Sequence, residues 1–208
     1  MINKKIKGVI FDLGKVLLDF NHMAAAERLS GFTDKSGREI YELFFDSPVT
    51  GLFEEGKISG GEFFIQVKKM INLKIPYEEF VSIWNEIFCF TKSNQQVYNL
   101  ACFLKKSYRI ALLSNINILH LEYIKRTFPI LDAFHDCLAS CELGARKPQP
   151  EIYLKTLKIM GTLPEETFYT DDRAELVSEA KNLGINAVVF KGVEQLKKDF
   201  IIAGVEVN

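Results

Sequence analysis

Apolar and polar positions divide this chain into two regimes. From residue 20 to about 90 the apolar residues recur near the helical period and no stretch alternates as a strand would. Asn21 is placed to cap a helix over 23–29, and a second helix is predicted from 34 to about 45, with Ile40, Leu43 and Phe44 on one face. Ser47-Pro-Val-Thr-Gly51 reads as a turn. Ser59 with Glu62 three residues on forms a capping box, which starts a helix over 63–71. Pro76 opens another helix, whose Phe80, Trp84, Ile87 and Phe88 fall near the 3.6 period.

Outside that stretch, short apolar runs alternate with helical segments. Val9 to Phe11 form a buried strand that stops at Asp12. Ser93 is expected to cap a helix with Val97, Leu100, Ala101 and Leu104 inward, followed by a strand over 108–113 that ends at Ser114-Asn115. A helix over 118–126 precedes a strand over 137–139 and a loop through Arg146-Lys147-Pro148. Pro150 suits the first turn of a helix running to about 160. A strand over 167–170 ends at Asp171-Asp172; a helix over 174–183 stops at Gly184; a strand over 185–190 and a helix over 193–202 complete the order. Such alternation predicts an α/β fold, a doubly wound parallel (Rossmann-like) sheet covered on both faces. Its core comprises 1–19 and 92–208, and 20–91 form a small inserted α-helical cap domain.

Composition narrows the function classes. The chain has 208 residues, 48% hydrophobic and 25% charged, with a formal net charge of -1. That is enough for one sizeable core and a satellite, and it holds no basic cluster for nucleic acid. No apolar run approaches the roughly 20 residues that span a bilayer. The basic N-terminus is followed by only a brief apolar run before Asp12, which is not the pattern of a signal peptide. Cys89, Cys102, Cys137 and Cys141 contain no CxxC, the pattern of reduced thiols in a cytoplasmic protein. A monomer or homodimer is expected.

The candidate chemistry sits where strands end. Asp12, Ser114-Asn115, Lys147 and Asp171-Asp172 each follow a predicted strand or its loop, and in a parallel sheet those ends share one edge. A carboxylate there can attack an electrophilic phosphorus and form an aspartyl phosphate. Its charge repels the phosphate, so cations are required. Lys147 and a magnesium ion held by Asp12 and Asp172 can supply them. Ser114, leading into a helix start, offers a hydroxyl and free amides for the remaining oxygens. Taken singly, each residue has an ordinary reading as cap, turn or solvated loop. Asp19 can either serve the chemistry or merely end its segment. His22, His120 and His135 lack ligand spacing and read as structural or surface residues.

At these residues the chain resembles the haloacid dehalogenase (HAD) superfamily. Phe-Asp12-Leu-Gly14-Lys-Val is similar to its first motif, Leu113-Ser114-Asn115 to the second, Arg146-Lys147-Pro148 to the third and Tyr-Thr-Asp171-Asp172 to the fourth. The segment Phe53-Glu-x-Gly-x-Ile-Ser resembles the helical cap of the subfamily whose cap follows the first motif, and the likeness extends to bacterial sugar-phosphate phosphatases of the glucose-1-phosphatase type. The resemblance implies that Asp12 is the nucleophile and a Mg2+ ligand, with the Gly14 carbonyl as another ligand. Asp172, twelve residues before Gly184, is the main ligand of the acidic loop, and Asp171 acts behind it or through water. Ser114, Asn115 and Lys147 hold the phosphate of a small phosphorylated metabolite.

Two positions depart from the family pattern. Gly14 stands where most of its phosphatases carry a second aspartate as general acid and base, which leaves Asp19 as a candidate by proximity. Leu176 replaces a frequent asparagine or aspartate. The competing readings are a metal-independent 2-haloacid dehalogenase, against which the Asp171-Asp172 pair argues, a phosphomutase, which depends on the missing acid, and a catalytically weakened phosphate-binding protein.

Overall fold

A computed structural model describes residues 5–44 and 47–207. Along the chain the strands are β1 (Gly8–Phe11), β2 (Asp19–Phe20), β3 (Phe88–Cys89), β4 (Arg109–Ser114), β5 (Asp136–Ala139), β6 (Thr167–Asp171) and β7 (Asn186–Val189). The helices are α1 (His22–Ser30), α2 (Gly37–Phe44), α3 (Pro48–Glu54), α4 (Gly60–Ile71), α5 (Tyr77–Asn85), α6 (Lys92–Leu104), α7 (Ile118–Thr127), α8 (Ser140–Leu143), α9 (Pro150–Met160), α10 (Ala174–Asn182) and α11 (Val193–Ile202).

Five strands form one parallel sheet in the order β5-β4-β1-β6-β7. Successive side chains on a strand face opposite ways, and the core divides accordingly. Val9, Phe11, Ile110, Leu112 and Phe168 pack on one face with residues of α6, α7 and α11. Ile10, Ala111, Leu113 and Tyr169 pack on the other with α9 and α10. This is the doubly wound α/β arrangement the alternation predicts. β1 is central because all four of its residues are buried, as a strand covered on both faces requires. The chain winds outward through β4 and β5, then returns to the other side of β1 for β6 and β7. The carboxyl end of β1 therefore lies where strand order reverses, the place open sheets bind ligands.

Helices α1–α5 follow β1 and gather around a second apolar cluster that includes Leu29, Phe44, Phe53, Phe63, Phe80 and Trp84. Three local expectations need correction here. Ser47 does not begin a turn: its side chain accepts from Thr50 N, Pro48 takes the first helical position and α3 results. Asp19–Phe20 and Phe88–Cys89 pair as a short antiparallel ladder where no strand was expected, joining the entry and exit of the helical stretch. Thr91, not Ser93, caps α6, in a reciprocal pair of hydrogen bonds with Asn94. The Asn21 and Ser59 caps form as predicted. The expected end of the second helix at 45 lies outside the described residues.

The end of α3 is fastened to the sheet. Ser140 Oγ accepts from Ile116 N at 2.9 Å and donates to Glu54 O at 2.6 Å. Arg146 Nη1 donates to Glu54 Oε2 at 3.1 Å, and Gln149 Nε2 to Glu55 Oε1 at 2.8 Å. Gly56, at φ +67, runs so close to the other chain segment that a Cβ would stand 2.1 Å from the Cys141 carbonyl oxygen. Among the described residues no helix is long and apolar enough to cross a membrane.

Candidate active site

Asp12 leaves β1 with its amide still in the ladder, donating to Thr170 O at 3.0 Å. The residue is only 7% exposed, and its Oδ1 accepts from Lys147 Nζ at 2.6 Å. Lys147 lies 135 residues away in sequence and is 2% exposed. Its other donors go to Asp171 Oδ2 at 2.6 Å and Leu113 O at 3.1 Å, so all three ammonium hydrogens are placed. Burial alone would push the Lys147 ammonium down, but the facing Asp12 and Asp171 carboxylates outweigh it and hold it above its ordinary value.

Asp171, fully buried at the end of β6, is saturated with donors. Oδ2 accepts from Lys147 and from the Tyr169 hydroxyl, and Oδ1 from Arg173 N at 2.9 Å. Asp172 is partly exposed and lines the cavity above the sheet edge. Burial, and then the charge of Asp171, raise its carboxyl. Oxygens of Asp12, Asp171 and Asp172 lie within 4.8 Å of one another.

That donor set fits a hard divalent cation. Three carboxylates face one ammonium, and magnesium takes oxygen ligands from one or two carboxylates while keeping waters. Burial first, then the charge of Asp171, push the Asp12 carboxyl from 3.8 up to about 7 against the pull of Lys147. Between roughly pH 4 and 7 the native state therefore holds a proton that the unfolded chain has lost. Metal-free stability falls as pH rises through that window and levels off above it. A cation displaces that proton, so the rise in Tm on adding Mg2+ is expected to be larger at pH 8 than at pH 5. Scanning fluorimetry with Mg2+ or chelator at both values checks this, and equal shifts would contradict it.

The remaining expected site residues fall in different places. Ser114, at the end of β4, is buried and lines the cavity with Gly14 and Asn115. The Asn115 side chain is spent largely on the backbone of Lys147: Nδ2 donates to Lys147 O and Oδ1 accepts from Lys147 N, both at 2.8 Å. That side chain positions the Lys147 backbone, a tie the sequence did not suggest. Asp19 does not line the cavity. It sits in β2 with Lys15 Nζ 3.8 Å away, because the tight turn in which Leu17 N and Leu18 N both donate to Leu13 O carries it off the sheet edge. Leu176 is buried and lines the cavity.

Gly14 is enclosed. A Cβ there would meet Phe20 Cε1 at 2.7 Å, so an aromatic ring occupies the space an aspartate side chain would need. Gly14→Asp is expected to lower stability by about 1–3 kcal/mol through overpacking and to reduce turnover. A gain in turnover would show that the ring yields freely.

Tyr169 and the Arg146–Glu54 pair were not singled out in the sequence. Tyr169 was accessible in principle, since strand residues two apart face the same way and Tyr169 precedes Asp171 by two. Arg146 carried no such signal, because Glu54 is 92 residues away.

The cavity encloses about 270 Å³, with Asp12 and Lys147 among its lining residues and Thr50, Trp84, Phe88 and Asn117 also contributing to its walls. Comparison with known proteins places this geometry. The chain is 29% identical over 187 residues to a D-ribitol-5-phosphate phosphatase of Bacteroides thetaiotaomicron, covering 86% of this chain and 89% of that one. It is 28% identical over 200 residues to a glyceraldehyde 3-phosphate phosphatase of Pyrococcus furiosus, covering 90% and 82%. A HAD family enzyme of Bacteroides thetaiotaomicron, solved with magnesium and inorganic phosphate, superposes with a TM-score of 0.77 at 28% identity, covering 89% of this chain and 94% of that one. The family model for haloacid dehalogenase-like hydrolases matches residues 6–184. With that match spanning β1, β4, β5 and β6 and the strand ends just described, the chain belongs to the haloacid dehalogenase-like hydrolase family.

Proposed function

We propose that the protein is a magnesium-dependent phosphatase that hydrolyses a small phosphorylated metabolite, a sugar or polyol phosphate, through an aspartyl-phosphate intermediate. One observation carries the reading: a buried lysine bridges Asp12 and Asp171 at 2.6 Å each, at the point of the sheet edge where a cavity opens. Asp12 attacks phosphorus, Lys147 neutralises a phosphate oxygen, and Ser114 with the amides that follow it holds the others. Asp12, Asp172 and the Gly14 carbonyl would hold the Mg2+, with Asp171 behind them fixing Lys147. When bound, the ion offsets the repulsion between Asp12 and the incoming phosphate. Water then cleaves the aspartyl phosphate and restores the carboxylate.

Residues 20–91 act as a cap over the 1–19 and 92–208 core and select the leaving group. The mixed polar and aromatic cavity wall, with Thr50, Asn117 and Trp84, suits a hydroxylated carbon chain of a few atoms. The relatives named for ribitol and glyceraldehyde phosphates support that substrate class. Four cysteines without a disulfide agree with a cytoplasmic enzyme.

The test is turnover of p-nitrophenyl phosphate and a panel of sugar and polyol phosphates, with Mg2+ and with chelator. Magnesium-dependent phosphate release supports the proposal. Metal-independent halide release from chloroacetate would select a dehalogenase instead, and phosphate binding without turnover a regulatory protein.

A further inference from the structure

Lys147 places all three ammonium hydrogens inside the protein, on Asp12 Oδ1, Asp171 Oδ2 and Leu113 O. A substrate phosphate can take one of them only where one of those bonds is given up or shared. The Leu113 acceptor is a backbone carbonyl of β4, and on the proposed mechanism the lysine must stay beside Asp12. The bond to Asp171 remains. Asp171 is fully buried, where an anion that loses a donor is costly.

Tyr169 supplies the alternative donor. Strand alternation puts it on the same face of β6 as Asp171. Its hydroxyl donates to Asp171 Oδ2, the oxygen that Lys147 contacts at 2.6 Å, and Lys147 Nζ stands over its ring, 5.7 Å from the centroid. One side chain thus touches both members of the pair. Tyr169 is fully buried and lies edge-on to the ring of Tyr153, 5.7 Å between centroids, while the Tyr153 hydroxyl is itself tied to Leu176 O at 3.0 Å. With Tyr169 on Oδ2 and Arg173 N on Oδ1, Asp171 keeps a donor at each oxygen when Lys147 turns toward a ligand. A phenylalanine would fill the same place in the core with no hydroxyl to satisfy, so the hydroxyl is the informative part of the residue.

Resting on the phosphatase reading, we propose that Tyr169 is a positioning residue that, through Asp171, releases the Lys147 ammonium to the substrate phosphate. Without the hydroxyl, Asp171 Oδ2 has Lys147 as its remaining partner and holds it more tightly.

Tyr169→Phe removes the hydroxyl and keeps the ring. In that variant the Kd of inorganic phosphate, titrated calorimetrically at saturating Mg2+, and the KM for p-nitrophenyl phosphate are expected to rise about tenfold, the scale of one hydrogen bond to a charged group. The apparent Mg2+ affinity should stay within about threefold of wild type, because neither Asp12 nor Asp172 is touched. In a Lys147→Met background the same substitution should change phosphate affinity by no more than about twofold, since a residue that acts through the lysine has nothing left to act on. Unchanged phosphate affinity in Tyr169→Phe, a matching loss of Mg2+ affinity, or an undiminished effect in the Lys147→Met background overturns the proposal, because a hydroxyl that serves only the fold would give one of these. A wild-type protein that neither binds inorganic phosphate nor hydrolyses an ester with Mg2+ would instead defeat the phosphatase reading itself.

Discussion

Asp12→Asn is expected to abolish turnover, with kcat falling by at least about 10⁴-fold, the scale on which removing an attacking group acts. The substitution is nearly isosteric. Its amide oxygen can still accept from Lys147, whose Nζ is 2.6 Å from Oδ1, so the local structure has no reason to collapse. On the proposed mechanism, what is lost is the anionic oxygen that attacks phosphorus and one negative ligand for the cation. The variant should fold with a normal circular dichroism spectrum, show a smaller Tm rise with Mg2+, and accumulate no phosphoenzyme. Retention of more than about one per cent of wild-type turnover, against that expected loss, would remove Asp12 from the nucleophile's role.

Lys147→Met separates stability from metal binding. The side chain keeps its length and loses its charge, leaving Asp12 and Asp171 facing each other without the ammonium both now contact. Breaking a buried pair in this way costs about 3–5 kcal/mol. The loss should be greater at pH 8 than at pH 5, because burial and mutual repulsion let the Asp12 carboxyl recover its proton at the lower value. Turnover should fall by about 10²-fold or more for want of a positive partner to the phosphate. Mg2+ affinity should be kept or improved, since a competing cation has gone. Calorimetric titration of Mg2+, denaturant melts at the two pH values and a turnover assay check all four, and a variant as stable as wild type would show that the lysine is not the site's counter-charge.

The cluster of Asp12, Lys147 and Asp171 was readable as a cluster because its residue types violate their surroundings. A carboxylate ending an apolar strand, as Asp12 and Asp171 do, has few structural reasons to be there, and strand alternation fixed which neighbours share its face. The short ladder between Asp19–Phe20 and Phe88–Cys89 could not be read, because two residues carry no period. Helix α3 was hidden by its own cap, since Ser-Pro and a nearby glycine serve turns and helix starts alike. Asp19 illustrates the limit of nearness in sequence: seven residues beyond Asp12, the chain has already doubled back through Leu13–Leu18 and left the sheet edge. The tie of the Asn115 side chain to the Lys147 backbone could not be read, because it joins segments 32 residues apart.

The central place of β1 has a consequence for how the protein comes into being. The strand synthesised first acquires its two flanking partners only when residues 109–114 and then 167–171 have emerged. Until the last of these docks, Asp12 has no acidic companion and Lys147 only one carboxylate to neutralise. On the ribosome, the cluster of Asp12, Asp171 and Asp172 is therefore complete only once nearly the whole chain has emerged, and a polypeptide terminated before β6 lacks two of its three carboxylates.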